Sequence, residues 1–145
     1  MSVIVLPKGS GASLVLRGAD MRIKAGLEET GPELTVVESS DPEGFAPTPH
    51  RHRDSVEAFY VLEGRYTFTA DGETAVAEAG AFVLVPRGVT HGYVVGPGPG
   101  RILIFFAPAG VERFWRAMNA AGASGPVPRE ERDRLAADLI ATEFD

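Results

Sequence analysis

The sequence predicts an all-β sandwich or barrel followed by two helices. Short β-type runs recur at even spacing with Gly and Pro between them, an Asp-Gly pair sits between two alternating runs, and after residue 107 the apolar spacing changes to that of helices. At 145 residues the chain has the length of one ordinary domain with a sizeable core.

In chain order the β-type runs are "SVIVL" (2–6), "DMRIKAG" (20–26), "ELTVVESS" (33–40), "VEAFYVLEG" (56–64), "RYTFTADG" (65–72), "ETAVAEAG" (73–80), "AFVLVP" (81–86), "HGYVVG" (91–96) and "RILIFFA" (101–107). Asp71-Gly72 supplies the positive φ angles of a two-residue hairpin turn, so Tyr66 to Phe68 and Thr74 to Ala77 should pair. Val111, Phe114, Trp115 and Met118 recur on one helix face, which covers the sheets or meets a second copy. "GASGPVP" stops that helix, and a second starts near Pro128 with Leu135, Leu139 and Ile140 as a narrow apolar stripe. The expected division is 1–108 for the β-barrel with its N-terminal strands and 109–145 for a helical extension packed on it.

Composition removes several function classes. A formal charge of −6, and no basic run longer than "RHR" at 51–53, argue against nucleic acid as a partner. The absence of cysteine removes disulfides, iron–sulfur clusters and thiolate zinc sites together. No segment approaches the roughly 20 apolar residues that span a bilayer, and the start lacks a signal-peptide pattern, so the expected location is cytoplasmic, without a membrane partner.

The chemistry concentrates in "PHRHRDSVE" and in His91. His50 and His52 lie two apart, so an extended backbone puts both on one side. Together with Glu57 and His91 they offer three imidazoles and a carboxylate, a donor set for one divalent Fe, Mn, Ni, Co, Cu or Zn ion. If Glu57 faces inward, so do Phe59 and Val61, while Ala58, Tyr60 and Leu62 face out; Tyr93 and Val95 share the inward side of His91.

Gly44, His50, His52, Glu57 and Gly64 fill, without a gap, a Gly-x5-His-x-His-x4-Glu-x6-Gly pattern. Gly80, Pro86, Gly88 and His91 fill a second, Gly-x5-Pro-x-Gly-x2-His, whose usual closing Asn is replaced here by Val95. In these residues the chain resembles the cupin superfamily over roughly residues 20–107, and in "HRHRDSVEAFYVLEG", "VPRGVTHGY" and "FAPAGVERFW" it resembles the small single-domain quercetin-dioxygenase-like members. The resemblance implies a double-stranded β-helix, or jelly-roll barrel, with His50, His52, Glu57 and His91 as metal ligands, and commonly a homodimer. It also implies a small-molecule substrate and, for the dioxygenases, dioxygen.

The expected activity is that of a metal-dependent dioxygenase acting on a flavonol-like or other enolisable molecule. The alternatives are a non-oxygenase cupin enzyme (isomerase, lyase or decarboxylase) and a non-catalytic small-molecule-binding module. Glu57 is the expected catalytic base, because burial in an apolar interior raises a carboxylate's proton affinity. Phe59, Tyr93 and Arg87 are the expected pocket residues, Arg87 as a guanidinium at the mouth for an anionic group.

Overall fold

The computed structural model describes residues 3–145. The strands are β1 (Ala12–Leu16), β2 (Ala19–Ala25), β3 (Thr35–Asp41), β4 (His50–His52), β5 (Val56–Glu63), β6 (Arg65–Ala70), β7 (Glu73–Glu78), β8 (Phe82–Val85), β9 (His91–Val95), β10 (Gly100–Ala107) and β11 (Thr142–Phe144). The helices are α1 (Leu27–Thr30), α2 (Glu112–Ala121) and α3 (Arg129–Ile140), with a single 3-10 turn at Gly122–Ser124.

The strands form two antiparallel sheets, ordered β1-β2-β3-β10-β5-β8 and β11-β4-β9-β6-β7. After β3 the chain passes repeatedly from one sheet to the other, which is how β4, β5 and β9 bring their side chains to the same interior. This is the expected jelly-roll architecture with its C-terminal helices, built as two separately hydrogen-bonded sheets.

Strand alternation decides what fills the space between them. On β5, Glu57, Phe59 and Val61 are buried, Tyr60 is exposed, and Ala58 and Leu62 are half-buried. Opposite, Tyr66 pairs with Val95 and Phe68 with Tyr93, and these inward residues pack against Ile102, Ile104 and Phe106 of β10. The β6–β7 hairpin has the expected register, with Tyr66 opposite Ala77 and Thr69 opposite Thr74. Asp71 and Gly72 carry it round at φ 49° and 79°, the doubly positive turn that matches strand twist.

The helices close one side of this space. Val111 and Phe114 are buried, and Trp115 packs edge-on against Phe106 at 5.6 Å between ring centroids. Glu112 ties the start of α2 down: its Oε2 accepts from the Thr35 hydroxyl at 2.7 Å and its Oε1 from the Leu27 N–H at 2.8 Å. Pro128 stands just ahead of the first helical residue of α3, and Ala136 is the fully buried position of that helix.

Three local features differ from the sequence reading. Val3 to Leu6 are exposed irregular chain; Ser2 lies outside the described residues. Strand preference needs a partner edge, and Pro7, without an N–H, separates this run from β1. Conversely "ASLVL" does form a strand, β1, because β2 supplies the edge. The three-residue β11 is held by pairing with β4 rather than by its own pattern.

At the end of the core away from α2, Asp41 is 2% exposed, and its two oxygens accept from Ser39 Oγ at 2.6 Å and Tyr66 Oη at 2.7 Å. Burial raises its pKa, and the two donors oppose that rise. Tyr66→Phe keeps the ring but strips one donor from a buried acid. The expected loss is about 1.5–3 kcal/mol, read as a lower urea midpoint at unchanged m-value.

Candidate metal centre

Three strands from the two sheets carry four converging donors. His50 and His52 point inward from β4, His91 from β9, where it is directly paired with His50, and Glu57 from β5 across the gap. His52 and Glu57 are each 5% exposed and His91 2%. One ligand atom from each of the four lies within 4.8 Å of all the others. Ligand atoms about 2.0–2.2 Å from a shared ion are at most about 4.4 Å apart, so a small contraction seats a divalent cation.

The outer ring nitrogens show which way each imidazole is wired. His50 Nδ1 lies 2.8 Å from Thr48 O and His91 Nδ1 2.9 Å from Val89 O. Carbonyl oxygens only accept, so both Nδ1 atoms carry hydrogen. His52 Nδ1 lies 2.7 Å from Thr142 Oγ1, which spends its own hydrogen on Ile140 O at 3.1 Å, so His52 donates there too. In the neutral rings, all three Nε2 atoms therefore present lone pairs to the interior. Yet Glu57 Oε1 stands 3.0 Å from His52 Nε2 and 2.8 Å from His91 Nε2. Lone pairs at that distance repel unless a cation, proton or metal, lies between them, and hydrogen-bonded outer nitrogens are how proteins orient metal-binding imidazoles.

Electrostatics corrects one expectation. Burial does push Glu57 towards the neutral form, but hydrogen bonds and charge from His52 and His91 outweigh it and hold the carboxyl at about 2. Glu57 is thus ionised at neutral pH. His91 answers in the opposite direction: burial lowers it, and Glu57 together with the Val89 carbonyl raises it by more. His50 is brought down to about 4, chiefly by burial, which keeps it neutral and able to ligate.

A cavity of about 180 Å³ opens on the four donors. Its walls are largely apolar, with the rings of Phe45, Phe59, Phe106, Phe114, Trp115 and Phe144 among them. Glu57 Oε2 makes no hydrogen bond among the described residues, and neither does the Tyr93 hydroxyl on the same lining.

A family model for the Cupin domain matches residues 36–106, which contain both histidine motifs. The chain belongs to the cupin family. The Bacillus subtilis (strain 168) quercetin 2,3-dioxygenase is 31% identical to this cupin over 115 residues, 79% of this chain and 34% of that enzyme, so the chain spans about a third of its curated relative's length. Among solved structures, an RmlC-like cupin from Shewanella frigidimarina superposes at a TM-score of 0.64 and 26% identity, covering 75% of this chain and 93% of that one. A Streptomyces PAC13 variant with uridine superposes at 0.62 and 22% identity, covering 75% and 84%, a likeness of fold. No helix among this cupin's described residues is long and apolar enough to cross a membrane.

Of the residues singled out from sequence, His50, His52, Glu57 and His91 come together, and Phe59 and Tyr93 line the same cavity. Arg87 does not join them. It is exposed, donates from Nε to Asp54 O at 3.1 Å, and is not part of the cavity wall. Its neighbour Gly88 instead links the two motifs, its N–H donating to His52 O at 2.8 Å. Sequence reasoning missed Thr142, Phe144 and Arg132, all from the C-terminal segment.

Thr142 gives a direct check on the ligand wiring. Thr142→Val keeps the shape but removes the acceptor for His52 Nδ1–H. Metal affinity, measured by competition with a chromogenic chelator, should fall about 10- to 100-fold, and Thr142→Ser should restore most of it.

Proposed function

We propose that this cupin is a metal-dependent dioxygenase acting on an enolisable small molecule, of flavonol-like or related chemistry, with one divalent transition ion held by His50, His52, Glu57 and His91. The observation that carries this reading is the joint geometry of Glu57. Its Oε1 belongs to the donor cluster, while Oε2 is left free of protein partners beside an apolar cavity.

A bound divalent ion would supply Lewis acidity to an enolic or hydroxy-ketone oxygen. The chain's own residues do the rest. Ionised Glu57 takes the enolic proton on Oε2, a transfer that its low proton affinity allows because a bound ion would acidify the enol. Phe59 and Phe106 hold the planar body and exclude water. The Tyr93 hydroxyl donates to a substrate oxygen; burial keeps that phenol protonated by raising its pKa, with Asp41 and Glu57 adding to the rise. Homodimeric assembly belongs to the same reading, supported by Tyr60, Phe82 and Leu84, which stand exposed on the outer face of the six-stranded sheet. A cytoplasmic location belongs to it as well, and cell fractionation tests it.

The test is to strip the protein, load it in turn with Fe, Mn, Ni, Co, Cu or Zn, and equilibrate each form with enolisable compounds under nitrogen before admitting air. Oxygen uptake matching substrate loss in at least one form is the expected result. Bound substrate left unchanged by air in every form would transfer the site to an isomerase, lyase or decarboxylase, or to a binding role.

A further inference from the structure

The cavity's size and its charges narrow what it can hold. An apolar cavity of about 150 Å³ takes a single benzene ring, while ordinary small-molecule pockets run from roughly 300 to 1,000 Å³. At about 180 Å³ this one admits one ring and a short substituent.

Its charge runs against that of the chain. The protein carries 20 acidic and 14 basic side chains, yet the charged residues on the cavity wall are Glu57, Arg17 and Arg132. Glu57 offsets one of the two guanidiniums, so a divalent ion bound at the donor cluster would leave the space electropositive.

Arg132 is the better placed of the two. Its side chain is 18% exposed and lies over the Phe144 ring, 4.1 Å from the centroid, and Phe144 in turn stands 5.6 Å from the His50 ring. Nε and Nη2 donate to Asp133 Oδ1 at 2.9 and 2.7 Å, and Nη1 makes a long 3.3 Å contact with Thr48 Oγ1. Those bonds use three of the five N–H groups that a guanidinium offers. Asp133 is 42% exposed, so solvent screens that pair. Arg17 lies on the Phe45 side of the cavity, is exposed, and bonds Ala46 O.

We propose that the substrate is a compact carboxylate, about one aromatic ring in size with an enolisable or hydroxylated carbon, and that Arg132 binds its carboxylate at the cavity mouth. A planar fork with unused N–H groups suits a carboxylate better than a neutral ring oxygen. This narrows the enolisable class above and rests on that cavity being the active site.

The test uses zinc-loaded protein under nitrogen, so that binding is read without turnover, with three probes in a calorimeter. Phenylpyruvate has the ring, the enolisable carbon and the carboxylate; 1-phenylpropan-2-one replaces the carboxylate with a methyl; quercetin is the three-ring flavonol. Phenylpyruvate should bind wild type about 10- to 100-fold tighter than the ketone. Arg132→Gln should remove most of that preference while leaving ketone binding unchanged, and Arg132→Lys should fall between.

Equal affinity for phenylpyruvate and the ketone, no phenylpyruvate binding, or tighter binding of quercetin overturns the proposal, and the wild-type comparison needs no variant to fold. Loss of both ligands equally in Arg132→Gln would make Arg132 a structural anchor of α3 and overturn its assigned role. Arg132-dependent carboxylate binding with no oxygen uptake in any metal form leaves this proposal standing and removes the dioxygenase reading. Quercetin consumed in air with phenylpyruvate unbound does the reverse.

Discussion

Protein with His50 and His91 both replaced by alanine should lose its bound divalent metal, from about one ion per chain to a trace. The two rings face each other across the β4–β9 pair, 4.6 Å between centroids, and their removal leaves one imidazole and one carboxylate. Elemental analysis of untagged wild type and variant, purified without added metal, reads the result directly. Equal and substoichiometric metal in both would sink the metal assignment. Chelating the wild type should lower its melting temperature, since an ion at 100 times its Kd stabilises by about 2.7 kcal/mol. The β-sheet circular dichroism should persist at room temperature, because the core around Phe59, Val61, Ile102 and Val95 packs without help from an ion.

Much of this site was legible because it obeys local periodicity. His50-x-His52 states its own face, and the alternation from Glu57 through Phe59 to Val61 states which wall it belongs to. Arg87 shows where that reasoning stops: it lies between Pro86 and Gly88, close in sequence to His91, but the turn sends its side chain to Asp54 on the outside. The residues that complete the site come from far along the chain. Thr142 reaches His52 across 90 positions and Arg132 reaches Thr48 across 84. "TEF" has no strand period long enough to read, and nothing in α3 marks Arg132 off from its charged neighbours. The acidity of Glu57 was illegible for a related reason. Burial alone points upward, and only the distances to His52 and His91 show that the imidazoles prevail.

Glu57→Gln should depress turnover far more than it depresses metal occupancy. The substitution keeps the side-chain size, removes one negative charge from the donor cluster, and replaces a free carboxylate oxygen with a group that cannot take a proton. Loss of a positioned general base costs on the order of 100- to 10,000-fold in rate, while three imidazoles, each still oriented through Nδ1, retain the ion more weakly. The glutamine amide has no proton to lose across the assay range, so raising the pH should not rescue the variant. A binding module behaves in the opposite way. Removing the carboxylate raises the net charge around the ion by one, so affinity for an enolate should persist or rise. Wild type and variant, both loaded to the same measured occupancy, are titrated with an enolisable ligand under nitrogen and then exposed to oxygen. Retained binding with turnover cut at least a hundredfold assigns Glu57 as the base. Turnover that falls only in proportion to metal content would reduce Glu57 to a ligand and require another group to take the proton, for which the Tyr93 hydroxyl, its pKa raised by burial, is poorly suited.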